Sequence, residues 1–391
     1  MTTLAALQDP GLRADPYPLY HLLREQTPMP INDGAAVVVG RYADAQRVLK
    51  DTTLSSRLQD VLPEEADRNH SFLLLDPPDH TRLRRLVAKA FTPRAIASLE
   101  QRIERLVREA FTTAAERGSI DFAEDLAYPL PVTVISEWLG VPTGDGARLR
   151  QWSQYLTRAF DFGVEPEERA AIDVAYRELD AYFRELVAHR RRHRSDDLLS
   201  RLIEAEEQGD RLTPDELVAT LGLLLNAGHE TTSNLLSNGV LALLRHPGEL
   251  ARLRADPGLA PATVEEVLRF DPPVQLLGRV TREPRTVAGV ELPARAWVIV
   301  LIGAANRDPV HFPDPDRFSV DRAGAPHLAF SLGPHFCLGS SLARLEARVL
   351  FREFATRVRN PELDPESVRY RRHVNLRGPE SMVVGFDSFD G

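Results

Sequence analysis

Phe330-Ser331-Leu332-Gly333-Pro334-His335-Phe336-Cys337-Leu338-Gly339 holds the only cysteine of the chain. Leu338, Leu342, Leu345 and Val349 follow on one helical stripe, so the thiol stands just before a helix N-terminus. The positive end of the helix dipole favours a thiolate there. Gly333 and Gly339 bracket the loop, which allows positive φ in a tight turn or close approach of the backbone to a bulky partner. A lone cysteine is ordinarily a small buried hydrophobe. A glycine-bracketed cradle with Phe330 at one end departs from that reading.

Working outward, the next decisive stretch is Thr213-Pro214-Asp215-Glu216. Thr is a good N-cap, Pro suits the first helical position, and Glu at the third completes a capping box. The helical pattern then runs without proline to His246-Pro247, which predicts a helix over 214–245, about 48 Å long. Its apolar middle should cross the interior. Yet Asn226, Gly228, His229, Glu230, Thr231, Thr232, Ser233 and Asn234 cluster at its centre, and buried polar groups cost free energy unless they are satisfied. Helical patterns also cover 95–116 and 170–191, the latter ending in the basic run 189–194, expected to be a solvated helix end. Strand signals are few: Ala35 to Val39, Trp297 to Ile302, and a hairpin around Gly289.

Composition bounds the function. The 391 residues carry 48 Lys+Arg against 57 Asp+Glu, a net charge of −9, with 43% hydrophobic residues. A chain of this balance is suited neither to neutralising nucleic-acid phosphates nor to coating an anionic membrane. A single cysteine excludes an internal disulfide framework. The N-terminus lacks signal-peptide character and no run is long and apolar enough to span a bilayer, so a soluble cytoplasmic protein is expected; with no linker or repeat in the sequence, a single unit over 1–391, monomeric, is expected as well.

Phe330-x-x-Gly333-x-x-x-Cys337-x-Gly339 resembles the haem-binding loop of the cytochrome P450 family, in which the cysteine thiolate is the axial iron ligand. Many members have Gly where this chain has Ser331, a side chain expected to adjust hydrogen bonding near the sulfur. Ala227-Gly228-His229-Glu230-Thr231-Thr232 resembles the family's oxygen-activation segment. There Gly228 would let ligand and water approach the helix, the Thr231 hydroxyl would hold a water, and Glu230 would relay protons. Glu266-x-x-Arg269 is a weak signal alone, and its helical phase even puts Glu266 off the apolar stripe Val264, Val267, Leu268. The resemblance makes it a structural pair tied to a segment near Arg317 or Arg322. His80 and Arg84, Arg279 and His335 match positions that bind the haem propionates.

The resemblance implies a mostly α fold with a small β-rich region, a single domain enclosing one haem b. Phe330, Gly339 and Ala227 would contact the haem and Cys337 would ligate its iron. It implies a monooxygenase that puts one oxygen atom from O2 into a hydrophobic small molecule. Electrons would come from a ferredoxin and ferredoxin reductase, docking near His80 to Lys89 and Arg344. Leu58 to Leu75, Leu223, Asn226, Val274, Leu276, Leu277 and Met382 would line the pocket, with Phe160 to Phe162 as a mobile lid. Asn226 would hydrogen-bond a substrate carbonyl or hydroxyl, or else the helix backbone or water. A polyketide-like secondary metabolite is the expected substrate. Alternatives are atypical outcomes (ring coupling, desaturation, C–C cleavage), a haem-thiolate binding protein without turnover, and a cysteine hydrolase with Cys337 activated by His335.

Overall fold

The computed structural model describes residues 4–57, 71–159, 161, 164–207, 212–322 and 326–390. Most of the expected pocket wall 58–75, and Phe160 and Phe162 of the expected lid, lie outside the described residues. Helices dominate and the strands gather into small sheets.

The long helix runs Pro214–Arg245, the bounds its caps predict. Thr213 Oγ1 accepts from the Glu216 amide at 3.1 Å, and Glu216 Oε2 accepts from the Thr213 amide at 2.8 Å. Leu217, Leu221, Leu225, Leu235, Leu236 and Leu243 are almost wholly buried, each worth roughly 1.5–3 kcal/mol of burial. The helix packs on Pro129–Leu139, Pro166–Arg192 and Ser340–Arg357. It meets the last so closely that a Cβ at Gly239 would lie 2.0 Å from Phe351 Cζ. Much of its polar centre is satisfied locally. Thr232 and Ser233 donate to carbonyls one turn back, and Asn238 Nδ2 donates to the carbonyls of Asp271 and Arg377, both at 3.0 Å.

The largest sheet orders Met29–Ile31, Ala36–Val39, Trp297–Leu301, Leu276–Thr281 and Leu54–Ser55. Ala36–Val39 pairs parallel with Trp297–Leu301, Val37 opposite Val298, and is buried on both faces, as its continuous apolar run requires. The hairpin around Gly289 joins Arg285–Val287 to Val290–Leu292, with Ala288 and Gly289 both at positive φ, the backbone of a tight two-residue turn.

Two helical expectations change. The 95–116 pattern is two helices, Pro93–Ala97 and Glu100–Ala115. Ser98 breaks them, its hydroxyl donating back to the Ala95 carbonyl at 2.7 Å. The basic run is not uniformly solvated. Arg190 folds back to Asp197 (2.8 Å) and to the Gly140 carbonyl (2.8 Å), and so ties the Pro166–Arg192 helix to the end of Pro129–Leu139.

Candidate functional site

The cysteine loop is closed by its own backbone. The Cys337 amide donates to the Phe330 carbonyl at 2.9 Å and the Ser331 amide to the Leu328 carbonyl at 2.9 Å. Ser331 and Gly333 both adopt left-handed φ, +60° and +69°. The Ser331 hydroxyl is buried and bonds no described atom, so the expected hydrogen bond near the sulfur is not made. Phe330 packs into the main core, with the Arg344 guanidinium 4.5 Å above its ring. Burial pushes the Cys337 thiol up, against the amides of Gly339 and Ser340 and the cations Arg84 and Arg344. Desolvation thus outweighs the helix end that the sequence suggested would favour thiolate. A coordinated metal deprotonates a thiol outright.

Four basic side chains converge beside this loop. Arg84 Nη2 donates to the carbonyl of Phe336, next to the thiol. The rings of His80 and His335 lie 4.1 Å apart. Both His80 nitrogens are buried and unbonded among the described residues. Burial, then His80 and Arg279, drive His335 down to about 3. Burial likewise lowers Arg279 to about 10, and among the described residues its guanidinium donates only to the neighbouring Gly278 carbonyl. The nearest acid, Asp76, is already engaged by Ser55, the Ser56 amide and Arg282. Mutual repulsion without a counter-charge is costly.

On the long helix, the Thr231 hydroxyl donates to the Ala227 carbonyl at 2.9 Å. Ala227 is exposed to open space, whereas Gly228 turns its bare Cα to Ile135, where a Cβ would sit 3.3 Å away. The absence of a Cβ at Gly228 thus also lets the two helices pack closely. Glu230 is 2% exposed. Its Oε1 lies 3.7 Å from His229 Nε2 and its Oε2 lies 3.7 Å from Arg371 Nη1. Burial pushes this carboxyl up, but His229, Arg371 and His373 outweigh it and hold it below the usual range. His229 Nδ1 contacts the Leu225 carbonyl at 2.6 Å and its Nε2 lies 3.3 Å from the Tyr128 hydroxyl.

Glu266 and Arg269 are both buried, against the helical phase that put Glu266 outside. Arg269 makes a fork to Glu266 at 2.7 and 2.9 Å. Arg322, not Arg317, is the third member: its Nε lies 3.1 Å from both carboxylate oxygens. Arg317 contributes only its carbonyl, to Arg269. Nearby, Arg344 grips Glu265 at 2.6 and 2.9 Å.

Of the expected pocket residues, Leu223, Asn226, Val274 and Leu277 are half-buried. Leu276 and Met382 are buried members of core clusters. Asn226 Oδ1 accepts from the Ser153 hydroxyl at 2.5 Å, a partner outside both alternatives read from the sequence. Ser153, Tyr128, Arg371 and His373 were missed. Each reaches the long helix from a distant segment, and no local pattern marks them.

Two carboxylates and a thiolate-seeking metal on one flat apolar body would answer all of these open valences, and haem is such a group. The fold and the site define a haem-thiolate enzyme. The sequence model of the family "Cytochrome P450" matches residues 31–257 and 258–362. The cytochrome P450 monooxygenase PikC of Streptomyces venezuelae is 43% identical over 386 residues, 95% of this chain and 91% of that protein. The vitamin D(3) 25-hydroxylase of Pseudonocardia autotrophica is 40% identical over 386 residues, 95% and 93%. Among solved structures, the bacillaene polyketide synthase cytochrome P450 PksS of Bacillus subtilis 168 superposes with a TM-score of 0.89. It is 34% identical, and 98% of this chain and 99% of that one are covered. The chain belongs to the cytochrome P450 family. It is a haem-thiolate monooxygenase whose one cysteine is Cys337, which sets aside the hydrolase and the non-turnover alternatives. Among the described residues no helix is long and apolar enough to cross a membrane.

Proposed function

We propose that this enzyme inserts one oxygen atom from O2, by hydroxylation or epoxidation, into a hydrophobic secondary metabolite of polyketide-like skeleton. Electrons come from a ferredoxin and its reductase, and the enzyme works as a cytoplasmic monomer. One observation carries the reading: His80, Arg84, Arg279 and His335 converge beside the Cys337 loop, and among the described residues the one acid acting on His335 and Arg279, Asp76, is already engaged by Ser55, Ser56 and Arg282.

His80, Arg84, Arg279 and His335 hold the haem propionates, Cys337 the iron, and Phe330, Gly339 and Ala227 border the ring. Bound there, haem b supplies the activation of dioxygen with two electrons. The chain's own part is to position substrate, exclude water and deliver protons. Glu230 and Thr231 carry the proton delivery. Leu223, Val274 and Leu277 present apolar surface to the substrate, and Asn226 offers it an amide. The names of the relatives, a vitamin D(3) hydroxylase and a polyketide synthase P450, support a bulky hydrophobic substrate. Exposed Lys89 at the end of the helix that bears His80 and Arg84 suits an acidic ferredoxin.

The test is an absorption spectrum of the reduced protein under CO, followed by a screen of hydrophobic natural products for a spin-state shift and a mass analysis of the product. The strongly red-shifted band of a thiolate-bound ferrous haem, lost in Cys337→His, and a product heavier by one oxygen are expected. An imidazole-like spectrum would overturn the ligand assignment. A product formed by coupling or loss of hydrogen would move the reaction to the atypical class.

A further inference from the structure

Arg344 follows Cys337 on the Ser340–Arg357 helix. Left free, a long cationic side chain keeps its head in water. Arg344 does not. Its guanidinium lies 4.5 Å above the ring of Phe330, the residue whose carbonyl accepts from the Cys337 amide. Burial dominates the surroundings of the thiol, and Arg344 is one of two cations that oppose it.

Other residues hold the guanidinium in place. Glu265, on the Ala260–Phe270 helix, accepts from Arg344 Nε at 2.6 Å and from Nη2 at 2.9 Å. This two-pronged grip fixes the orientation of the fork as well as its position. Glu265 is held in turn by His327. The His327 Nδ1 accepts from the Ala329 amide at 3.2 Å, so the ring proton sits on Nε2, which lies 3.2 Å from Glu265 Oε2. The His327 side chain is almost wholly buried, and its ring lies 5.8 Å from that of Phe330. Burial pushes the Glu265 carboxyl up, but Arg344 and His327 outweigh it and keep it ionised. His327, Glu265 and Arg344 thus form a chain of contacts that begins and ends on the cysteine loop.

We propose that Arg344 is a positioning residue for electron entry: clamped by Glu265 and His327 against Phe330, its charge favours the reduced state of the haem held by Cys337. The proposal rests on Cys337 as the iron ligand. One electron arrives from the reduced ferredoxin and no proton accompanies it, so the site becomes more negative by one charge. A cation fixed beside it lowers the free energy of that state. Glu265 carries the opposite charge, yet without its grip the guanidinium would leave for solvent. The Arg344 and Glu265 side chains are 36% and 45% exposed, so water and salt limit the effect. It amounts to at most about tenfold in the equilibrium for reduction, or about 59 mV for one electron.

The experiment is a spectroelectrochemical titration of the haem-loaded full chain, with neither substrate nor redox partner present. Arg344→Met keeps the apolar stem and removes the charge, and Arg344→Lys keeps a charge that cannot fork. Arg344→Met should lower the midpoint potential, a loss of about threefold to tenfold in the equilibrium for reduction, and the difference should shrink as salt is added. Arg344→Lys should recover part of it. The sign of Glu265→Leu separates a clamp from a bare charge. With Arg344 present it should lower the potential, because the cation is released. In the Arg344→Met background it should raise the potential, because only a negative charge is then lost. An unchanged potential in Arg344→Met, with the wild-type CO band, would overturn the proposal and leave Arg344 as a packing or docking contact. Glu265→Leu raising the potential in both backgrounds would overturn the clamp, and the proposal with it. Should Arg344→Met fail to hold haem, Arg344→Gln decides by the same criteria. A wild-type protein lacking the thiolate–CO band would refute Cys337 as the ligand first, before any variant is compared.

Discussion

The backbone amide of Cys337 donates to the carbonyl of Phe330 across a loop of six intervening residues, at 2.9 Å. That bond fixes where the thiol stands, and it forces the residue after Phe330 into a left-handed turn: Ser331 has φ +60°. An L-residue with a Cβ is about 1–2 kcal/mol uncomfortable there. Its buried hydroxyl gains no described partner in return.

Ser331→Gly should therefore stabilise the protein. Relief of the turn outweighs the extra freedom glycine has when unfolded, for a net gain of about 0.5–1 kcal/mol. Urea unfolding of the holoenzyme measures it. A lower midpoint in the Gly variant would mean that the serine makes a contact worth more than the strain it bears.

Glu266 stands at the opposite extreme, with every valence used. It accepts from Arg269, from Arg322 and from the Ser319 amide at 2.9 Å, while Arg269 also donates to the carbonyls of Asn306 and Pro315. Arg269→Ala leaves a buried carboxylate half-paired and takes the donor from the carbonyls of Asn306 and Pro315, while Arg322 still serves that of Arg317. A loss of about 3–5 kcal/mol is expected, seen as loss of folded, haem-loaded protein. Arg322→Ala, which removes a guanidinium more accessible to solvent than that of Arg269, should lose less. Equal stability of wild type and Arg269→Ala would show that the buried fork carries no weight.

Why these residues were legible, and others not, is a matter of range. The long helix ends where Thr213, Pro214 and His246-Pro247 end it, because capping and proline act within a few residues. The cysteine loop is equally local. Glu266 looked exposed because a helical phase cannot see Arg322, 56 residues on. The packing of Gly228 on Ile135 was not legible because Ile135 comes from another helix. Arg371 and His373 had no signal at all: only the return of the chain after Arg369–Tyr370 brings them near Glu230.

Glu265 gives a pH test on the proximal side. Burial pushes its carboxyl up, but Arg344 and His327 pull it down to about 2. A carboxylate depressed in the folded state adds stability that is complete above its unfolded pKa, near 4.5. That stability drains away as pH falls toward the folded value. The side chain is 45% exposed, so solvent screening trims the contribution to about 1 kcal/mol. Wild type should exceed Glu265→Gln by that amount at pH 7 and 5, and the gap should narrow below pH ~4.5. A gap that stays constant down to pH ~3 would remove the ion pair as its cause.

Asn226 separates a tether from a substrate contact. Its Oδ1 accepts from Ser153 on the Gly146–Arg158 helix, which leaves the amide NH2 as the group that could meet a substrate carbonyl. Ser153→Ala removes the tether only, whereas Asn226→Leu removes tether and donor together. If the amide holds substrate, Asn226→Leu should weaken binding about tenfold, the worth of one good hydrogen bond, and Ser153→Ala clearly less. Spin-state titration with the substrate identified in the screen reads both. The stability cycle of the two single variants and the double variant should show coupling of about 1 kcal/mol, since the pair is in direct contact. Equal losses of affinity in the two single variants would make Asn226 a helix tether, and the pocket would then recognise its substrate by apolar shape alone.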